Sequence, residues 1–296
     1  MRALIITAVI AVAAGCAGGD GGGDYTITDD ALTFETGSFQ VPPGDVFECF
    51  YTDVITDREL AVAAASADQS QGGHHVTLYY TSIIKDAQHH PCDPAEMADW
   101  RMIGGGGDEA EDLVTKLRMP DGYAIRVPAG VQLVLQSHYI NLGEEFTAND
   151  QAAIELVPAD SIESFVNQFV VNDAGFAVPP HDEFESVSTC TVPEDVQLIR
   201  LLGHMHEWGS YYKLEEIDQA DETLSTILDL EWDPVYASDP EVLQWEPAEP
   251  MLLAQGTRLR QTCRWFNDTA DPILFPREMC VAFGLYYPDD GEIFCE

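Results

Sequence analysis

Short segments in which hydrophobic and polar residues alternate recur along most of the chain. They are rich in β-branched and aromatic residues, and Pro, Gly, Asn and Asp between them mark turns. The segments are HHVTLYYTSII, YAIRVPAG, VQLVLQSHYIN, AAIELVPA, FVNQFVVND, VQLIRLLGHMH, YYKLEEI, TRLRQTCRWFN and VAFGLYYPDD. Helical signals are few, with short acidic starts in DPAEMADW and DEAEDLVTKL. The pattern therefore predicts an all-β chain of antiparallel strands.

The domain organisation follows from the length and from one polar segment. A chain of 296 residues is long enough for two domains, each with its own core. The Pro-containing passage VPADSIES is the best boundary, near residue 161. We therefore predict two tandem antiparallel β-sandwiches of the jelly-roll type, over residues 31–161 and 162–296.

The N-terminus is typical of an exported protein. Arg2 precedes a short apolar segment that ends in Ala14, Gly15 and Cys16, which has the form of a signal peptide over residues 1–16 and resembles a bacterial lipobox. Residues 17–30 are rich in Gly and Asp, which predicts a flexible linker. We expect lipidation at Cys16, an envelope location facing the periplasm or the exterior, and membrane attachment through this anchor alone.

The net charge limits the possible partners. With 52 acidic and 13 basic residues, the formal net charge is -39. Such a surface repels phosphate backbones and anionic lipid headgroups, so nucleic-acid binding is not expected.

Six cysteines remain when Cys16 is set aside. In an exported chain an even number predicts up to three disulfides, and the count alone leaves fifteen pairings open. The sequence contains no Cys-x-x-Cys pair, which argues against a zinc ribbon or a thioredoxin-like site.

Two histidines separated by one residue lie in the apolar segment LGHMHEWG. Side chains at i and i+2 of a strand share a face, so His204 and His206 can present two imidazoles to one metal ion. Two histidines alone do not make a site, and a pair of hydrogen-bonded strand histidines would give the same pattern.

A second group of histidines lies in the first half of the chain. His74 and His75 open one strand segment, and His138 lies within another. Adjacent residues of a regular strand point to opposite faces, so His74 and His75 can bind one ion only where a bulge redirects one of them. Gly72 and Gly73 immediately before them permit such a distortion.

Other histidines and one methionine complete the survey of ligands. His89 and His90 in QHHPCD and His181 in PPHDE are flanked by turn residues and are predicted to lie on the surface. The thioether of Met279 would join His204 and His206 if its strand lies beside theirs, and sulfur combined with imidazole favours copper, particularly Cu(I). A single Met is more often a core residue.

Five motifs in order carry a resemblance to a known family. GGHHVTLYY, LQSHYIN, GHMHEWGSYYKL, QTCRWFN and REMCVAFGLYYP together resemble the copper type II, ascorbate-dependent monooxygenases, the family of dopamine β-monooxygenase and peptidylglycine α-hydroxylating monooxygenase. The likeness runs from about Cys49 to Cys295. It implies two successive β-sandwich domains, each contributing one copper site to a solvent-filled cleft.

The resemblance also implies a role for each candidate ligand. It implies two copper ions per chain, with ascorbate or another one-electron reductant as co-substrate. The electron-transferring copper would be held by His74, His75 and His138. The oxygen-activating, catalytic copper would be held by His204, His206 and Met279. The disulfides implied by the same alignment are Cys49–Cys92, Cys190–Cys295 and Cys263–Cys280.

The implied reaction is hydroxylation of a C–H bond of a small organic substrate with O2. The peptide-amidating branch holds a carboxylate partly through an Arg two residues before its His-x-His, where this chain has Leu202. Val281 and Phe283 stand at two further positions of that subsite, which favours an apolar or aromatic substrate, although all three side chains would also suit core packing. Arg200 shares the predicted strand face, so a nearby positive charge stays possible.

Two other functions fit parts of the pattern. A non-catalytic envelope lipoprotein that binds or stores copper would need only one intact site, whereas this chain has ligands for two. A cupin-like iron or manganese enzyme also uses His-x-His on a strand, but its carboxylate ligand comes several residues later, whereas Glu207 directly follows His206.

Overall fold

The computed structural model describes residues 24–28, 30–97, 99–106, 118–237, 240–275 and 277–295. Within these ranges the protein is built almost entirely of strands, so the all-β prediction is confirmed. The predicted signal peptide with Cys16, the start of the linker and the DEAEDLVTKL segment lie outside the described residues. No helix among the described residues is long and apolar enough to cross a membrane.

Strands follow one another along the described ranges with few helical interruptions. In chain order they are β1 Asp24–Ile27, β2 Ala31–Glu35, β3 Phe39–Val41, β4 Gly44–Ile55, β5 Leu60–Asp68, β6 Gly73–Thr81, β7 Gln88–Pro91, β8 Trp100–Gly106, β9 Tyr123–Val127, β10 Gln132–Asn141, β11 Phe146–Ala148, β12 Gln151–Leu156, β13 Ser164–Asn172, β14 Ala177–Val178, β15 Asp182–Thr191, β16 Val196–His204, β17 Gly209–Ile217, β18 Thr223–Glu231, β19 Val242–Gln244, β20 Met251–Leu253, β21 Arg258–Asn267, β22 Ile273–Leu274, β23 Val281–Tyr287 and β24 Ile293–Cys295. The helices are α1 Pro94–Met97 and two 3-10 turns, Ala159–Ser161 and Pro234–Ala237.

The first strand lies inside the segment predicted as a linker. Strand β1 pairs with β2 in antiparallel register, and the ring of Tyr25 lies 6.5 Å from that of Phe34. The prediction of a flexible linker as far as residue 30 is therefore wrong for the β1 residues, because an aromatic side chain gives this segment something to pack against.

One large sheet runs through both halves of the chain. Its strand order is β1-β2-β12-β5-β9-β13-β23-β16-β19. In addition, β20 pairs with β16 and β24 pairs with β13. The halves join where β9 and β13 pair in parallel, with Ser164 opposite Tyr123. A five-stranded sheet in the order β7-β4-β10-β6-β8 belongs to the first half, and a four-stranded sheet in the order β15-β21-β17-β18 belongs to the second.

Each half has its own hydrophobic core. The larger cluster of the first half packs β2, β5 and β12 against β6 and β10, and the residues it contains lie between Leu32 and Ile154. The main cluster of the second half packs β16 and β23 against β17 and β21, with residues between Phe169 and Cys295. A fully buried large apolar side chain in such a core contributes about 1.5–3 kcal/mol. The predicted boundary at residue 161 lies between the two clusters.

Apolar and charged contacts reinforce the junction between the halves. Met119 from the first half packs against Val166 and Ile199 from the second. Arg126 of β9 lies 3.3 Å from the carboxylate of Asp289. These contacts fix the facing surfaces of the two halves relative to each other.

Three disulfides close the fold. They join Cys49 to Cys92, Cys190 to Cys295 and Cys263 to Cys280, which are the pairs implied by the family resemblance. Disulfides of this number are typical of a protein that folds outside the cytoplasm.

A buried carboxylate forms an ionic network in the second half. Glu215 on β17 accepts hydrogen bonds from Lys213 Nζ at 2.7 Å, Arg260 Nη2 at 2.8 Å and Thr223 Oγ1 at 2.9 Å. Burial raises the pKa of Glu215, but the two cations and the hydroxyl outweigh it and bring the pKa to about 2.

We predict that Glu215→Gln lowers the free energy of unfolding at pH 7 by about 2–3 kcal/mol. Because the folded pKa lies below that of an unfolded Glu, about 4.3, this contribution is present above that pH. It is lost as the pH falls towards 2, so wild type and variant should converge there in urea titrations. Glu185→Gln, which removes an exposed partner of Arg264, is the control and should cost less than about 1 kcal/mol. A difference that stays constant down to pH 2 would contradict the assignment.

Candidate metal centre

A β-bulge brings the two adjacent histidines to the same side of the sheet. In the pairing of β10 with β6, His138 lies opposite His75 and Tyr139 lies opposite Gly73, so the register skips His74. The Nδ1 atoms of His74 and His75 are consequently 2.9 Å apart. This is the distortion that the sequence requires if both side chains are to reach one ion.

His138 completes a cluster of three imidazoles. One ring nitrogen from each of His74, His75 and His138 lies within 4.8 Å of the others. The Nε2–H of His138 donates to Asp45 Oδ1 at 2.6 Å, and its ring stacks on Phe47 at 3.8 Å. The remaining nitrogen of His138, Nδ1, is buried and has no hydrogen-bond partner. A histidine held by a carboxylate with its other nitrogen free has the form of a metal ligand.

The second pair of histidines points away from the core of its own half. His204 lies opposite Val281 in the antiparallel pairing of β16 with β23. Met205 and Cys280 are fully buried in the core. The pairing ends at His204 and Val281, and the backbone N–H groups of His206 and Met279, which lie just beyond it, both donate to Glu278 Oε2. The backbones of His206 and Met279, two of the predicted ligands of the second site, therefore lie close together at the end of this strand pair.

His206 is held at three of its atoms. Its backbone N–H donates to Glu278 Oε2 at 3.0 Å, and its carbonyl accepts from Trp232 Nε1 at 3.0 Å. Its Nδ1–H donates to the carbonyl of Arg277, also at 3.0 Å. The last bond fixes the tautomer, which leaves the lone pair on Nε2.

Glu278 organises the second site and was not foreseen from the sequence. Its Oε2 accepts hydrogen bonds from the backbone of His206, from the backbone of Met279 at 3.1 Å and from Trp265 Nε1 at 2.9 Å. Its Oε1 accepts from the backbone of Trp208 at 2.9 Å. The side chain is fully buried, and burial raises its pKa. The one signal in the sequence is an acid placed directly before the Met-Cys pair.

The two histidine groups touch each other. The ring of His74 lies 5.8 Å from that of His206, centroid to centroid. The resemblance implies a solvent-filled cleft between the sites, and the structure differs because the shared sheet and the junction contacts bring the two faces together. The five imidazoles thus form one interfacial cluster.

The imidazoles of this cluster are neutral at neutral pH. Burial is the main cause, since it disfavours the charged form, and the pKa of His74 falls to about 3. Repulsion from neighbouring imidazoles adds to the lowering of the pKa at His75 and His204. The pKa values of His138 and His206 are lowered as well. Neutral imidazole is the form that binds metal ions.

The residues around the cluster are mostly apolar on the side of β16 and β23. Phe283 lies 5.9 Å from the ring of His204 and pairs in register with Leu202. Val281 is buried. Arg200 is also buried, and its Nη2 donates to the carbonyl of Arg118 at 3.1 Å, with burial lowering its pKa to about 10.

The remaining histidines take no part in the cluster. His181 is exposed in a turn, as predicted. His89 and His90 lie on β7 and are half-buried, so the prediction of surface histidines is wrong for this pair. His89 stacks on Phe50 at 4.2 Å and contacts Glu48 at 2.7 Å, because β7 adds to the edge of the five-stranded sheet.

We predict that Glu278→Gln destabilises the fold and disturbs the second histidine pair. A carboxamide presents an N–H group towards at least one backbone or indole donor, and an unmatched buried donor costs about 1–3 kcal/mol. Urea unfolding should show this loss, and the NMR signals of His204 and His206 should shift while those of His138 stay in place. Glu207→Gln, which changes the neighbouring acid, is the control. Unchanged stability in Glu278→Gln would contradict the proposed hydrogen-bond network.

Comparisons with known proteins give no family. No family model matches the chain, and no curated protein gives a significant match. Among solved structures, allantoicase from Saccharomyces cerevisiae is 9% identical, with 90% of this chain and 81% of that chain covered and a TM-score of 0.22. The Sulfolobus turreted icosahedral virus structure is 9% identical, with 88% and 56% covered and a TM-score of 0.18. The infectious bursal disease virus Gx strain structure is 9% identical, with 92% and 77% covered and a TM-score of 0.19. Scores this low carry no argument about family or activity.

Proposed function

We propose that the protein is a copper-dependent monooxygenase that hydroxylates a C–H bond of a small organic substrate, using O2 and an external reductant such as ascorbate. The observation that carries this proposal is the convergence of five imidazoles from the two halves of the chain on one interface. Burying five polar imidazoles together costs free energy, and shared metal ligation would offset that cost.

The donor atoms fit copper. The Nδ1 atoms of His74 and His75 face each other, which requires a shared proton or a shared cation, and Nδ1 of His138 is buried without a partner. Imidazole suits both oxidation states of copper, and a thioether such as that of Met279, whose backbone is tied to that of His206 through Glu278, favours Cu(I). We therefore assign one copper to the three-histidine group and one to His204, His206 and Met279.

The protein's own groups orient the ligands. When bound, copper supplies one-electron redox chemistry and a position for dioxygen. Asp45 holds the ring of His138, and although burial raises the pKa of Asp45, the hydrogen bond from His138 leaves it below the usual value. Glu278 ties the backbone of Met279 to that of His206. Fixed ligands matter most for a thioether, because it contributes little binding energy of its own.

We base the proposed substrate class on the apolar neighbours of the second site. Phe283 contacts His204, and Leu202 lies beside it on the same face. Nη2 of Arg200 donates to the carbonyl of Arg118 and to Gln244 Oε1 at 3.2 Å, and Nη1 is buried without a hydrogen-bond partner, so this cation is withdrawn from the surface rather than presented to a ligand. An aromatic or aliphatic small molecule suits this surface better than a carboxylate does.

A second candidate is a copper-binding or storage lipoprotein of the cell envelope without catalytic activity. The contact between His74 and His206 favours it, because two sites in contact leave no room for a substrate between them. Both candidates share attachment through a lipidated Cys16, which follows from the lipobox-like sequence alone.

We predict that the mature chain, with its disulfides formed and after loading with Cu(II) and desalting, retains two coppers by mass spectrometry. His204→Ala/His206→Ala and His74→Ala/His75→Ala should each retain one, because each removes the ligands of a single site. His181→Ala, which changes an exposed histidine, is the control and should retain two. One copper in the wild type and in both double variants would overturn the two-site assignment.

Oxygen consumption separates the two candidates. With ascorbate and small aromatic amines or hydrocarbons, the copper-loaded enzyme should form hydroxylated product in step with O2 uptake. Met279→Ala should fall to the background rate while the three-histidine site stays loaded, because only the second site loses a ligand. Two bound coppers with no product from any substrate of the panel would favour the storage protein.

A further inference from the structure

We infer that Gln69 is a positioning residue for the three-histidine site, holding open the bulge that brings His74 and His75 together. The inference rests on the proposed function only in assuming that these histidines and His138 bind copper. Gln69 directly follows β5, outside the motifs that carry the family resemblance.

The carboxamide of Gln69 bridges two of the ligand residues. Its Nε2 donates to the carbonyl of His75 and to the carbonyl of His138, each at 3.0 Å. A primary amide has two N–H groups, and both donate in this bridge. His75 and His138 are register partners, so one side chain ties together the two strands that carry the ligands.

The bulge creates the need for this bridge. Skipping a residue disrupts the ladder locally and leaves backbone groups without their strand partners. A buried carbonyl without a donor is costly, so the structure must supply N–H groups from elsewhere. Gln69, which is 5% exposed, supplies both from one rigid planar group.

Gly73 provides the space that the carboxamide occupies. A Cβ atom added at Gly73 would overlap the side chain of Gln69. Gly73 is also the residue directly before His74, at the bulge itself. Gly73 and Gln69 therefore depend on each other, because the absence of a side chain at Gly73 leaves room for the carboxamide of Gln69.

Hydrogen bonds to Asp150 hold the segment that carries Gln69 in place. The backbone N–H of Ser70 donates to Asp150 Oδ1 at 3.0 Å, and the hydroxyl of Tyr139 donates to the same oxygen. Asp150 is fully buried. Because Tyr139 directly follows His138, this network fixes the distance between Gln69 and the ligand strand.

The chain offers a matched control for Gln69. Gln132 is also buried, lies on β10 like His138, and bridges two carbonyls with its Nε2, those of Thr52 at 2.6 Å and Lys85 at 2.9 Å. It stands at the opposite end of β10 from His138. Oε1 of Gln132 also accepts from the backbone N–H of Lys85 at 2.8 Å, so loss of Gln132 should cost at least as much stability as loss of Gln69, and weaker copper binding in the Gln69 variant alone isolates the effect on the ligands.

The experiment uses the mature chain carrying His204→Ala/His206→Ala, in which only the first site binds Cu(II). Gln69→Leu should weaken Cu(II) affinity about 10- to 100-fold in competition titrations and change the copper hyperfine splitting in EPR spectra. Gln132→Leu should leave both readouts at the parental values while lowering the melting temperature at least as far.

Gly73→Ala is the second variant, and it tests the positioning role of Gln69 if Gln69→Leu does not fold. It displaces the carboxamide by overlap and should reproduce the affinity loss, with no further loss in the double variant. Parental affinity and spectrum in Gln69→Leu or in Gly73→Ala, or equal losses in Gln132→Leu, would overturn the inference alone. A parental protein that binds no copper would overturn the proposed function together with the inference.

Discussion

The parallel pairing of β9 with β13 is the contact on which the candidate site depends. Each half of the chain has its own core, and each contributes only part of the histidine cluster. Pairing β9 with β13 makes a single sheet of the two halves, and Arg126 and Asp289 close the same junction. Without this junction the chain would have two separate groups of histidines, one in each half, instead of a single cluster.

Irregular backbone held by buried polar side chains places the ligands on both sides of this interface. In the first half, a bulge at His74 turns two adjacent histidines the same way. In the second, the chain leaves the sheet after His204, and the carboxylate of Glu278 fastens His206 and Met279 to each other.

The sequence predicted more of the fold than of the site. Alternation and turn residues were sufficient for strands such as β10 and β16, but they missed β5, whose Ala-rich sequence lacks β propensity and is a strand because it lies between β9 and β12. The need for a bulge at His74 followed from strand geometry alone. The contacts of Asp45, Glu278 and Gln69 could not be predicted from the sequence, because most of them join residues distant in sequence. The expected cleft between the sites is absent from the described part of the structure, and no local sequence pattern indicates how the two halves pack against each other.

The most direct test of the central claim is anomalous diffraction from crystals of the copper-loaded protein, with data collected on both sides of the copper absorption edge. The account predicts two anomalous peaks at the interface of the halves, one among His74, His75 and His138 and one beside His204, His206 and Met279. Peaks confined to the protein surface, or none at the interface in crystals whose copper content is confirmed by fluorescence, would contradict it.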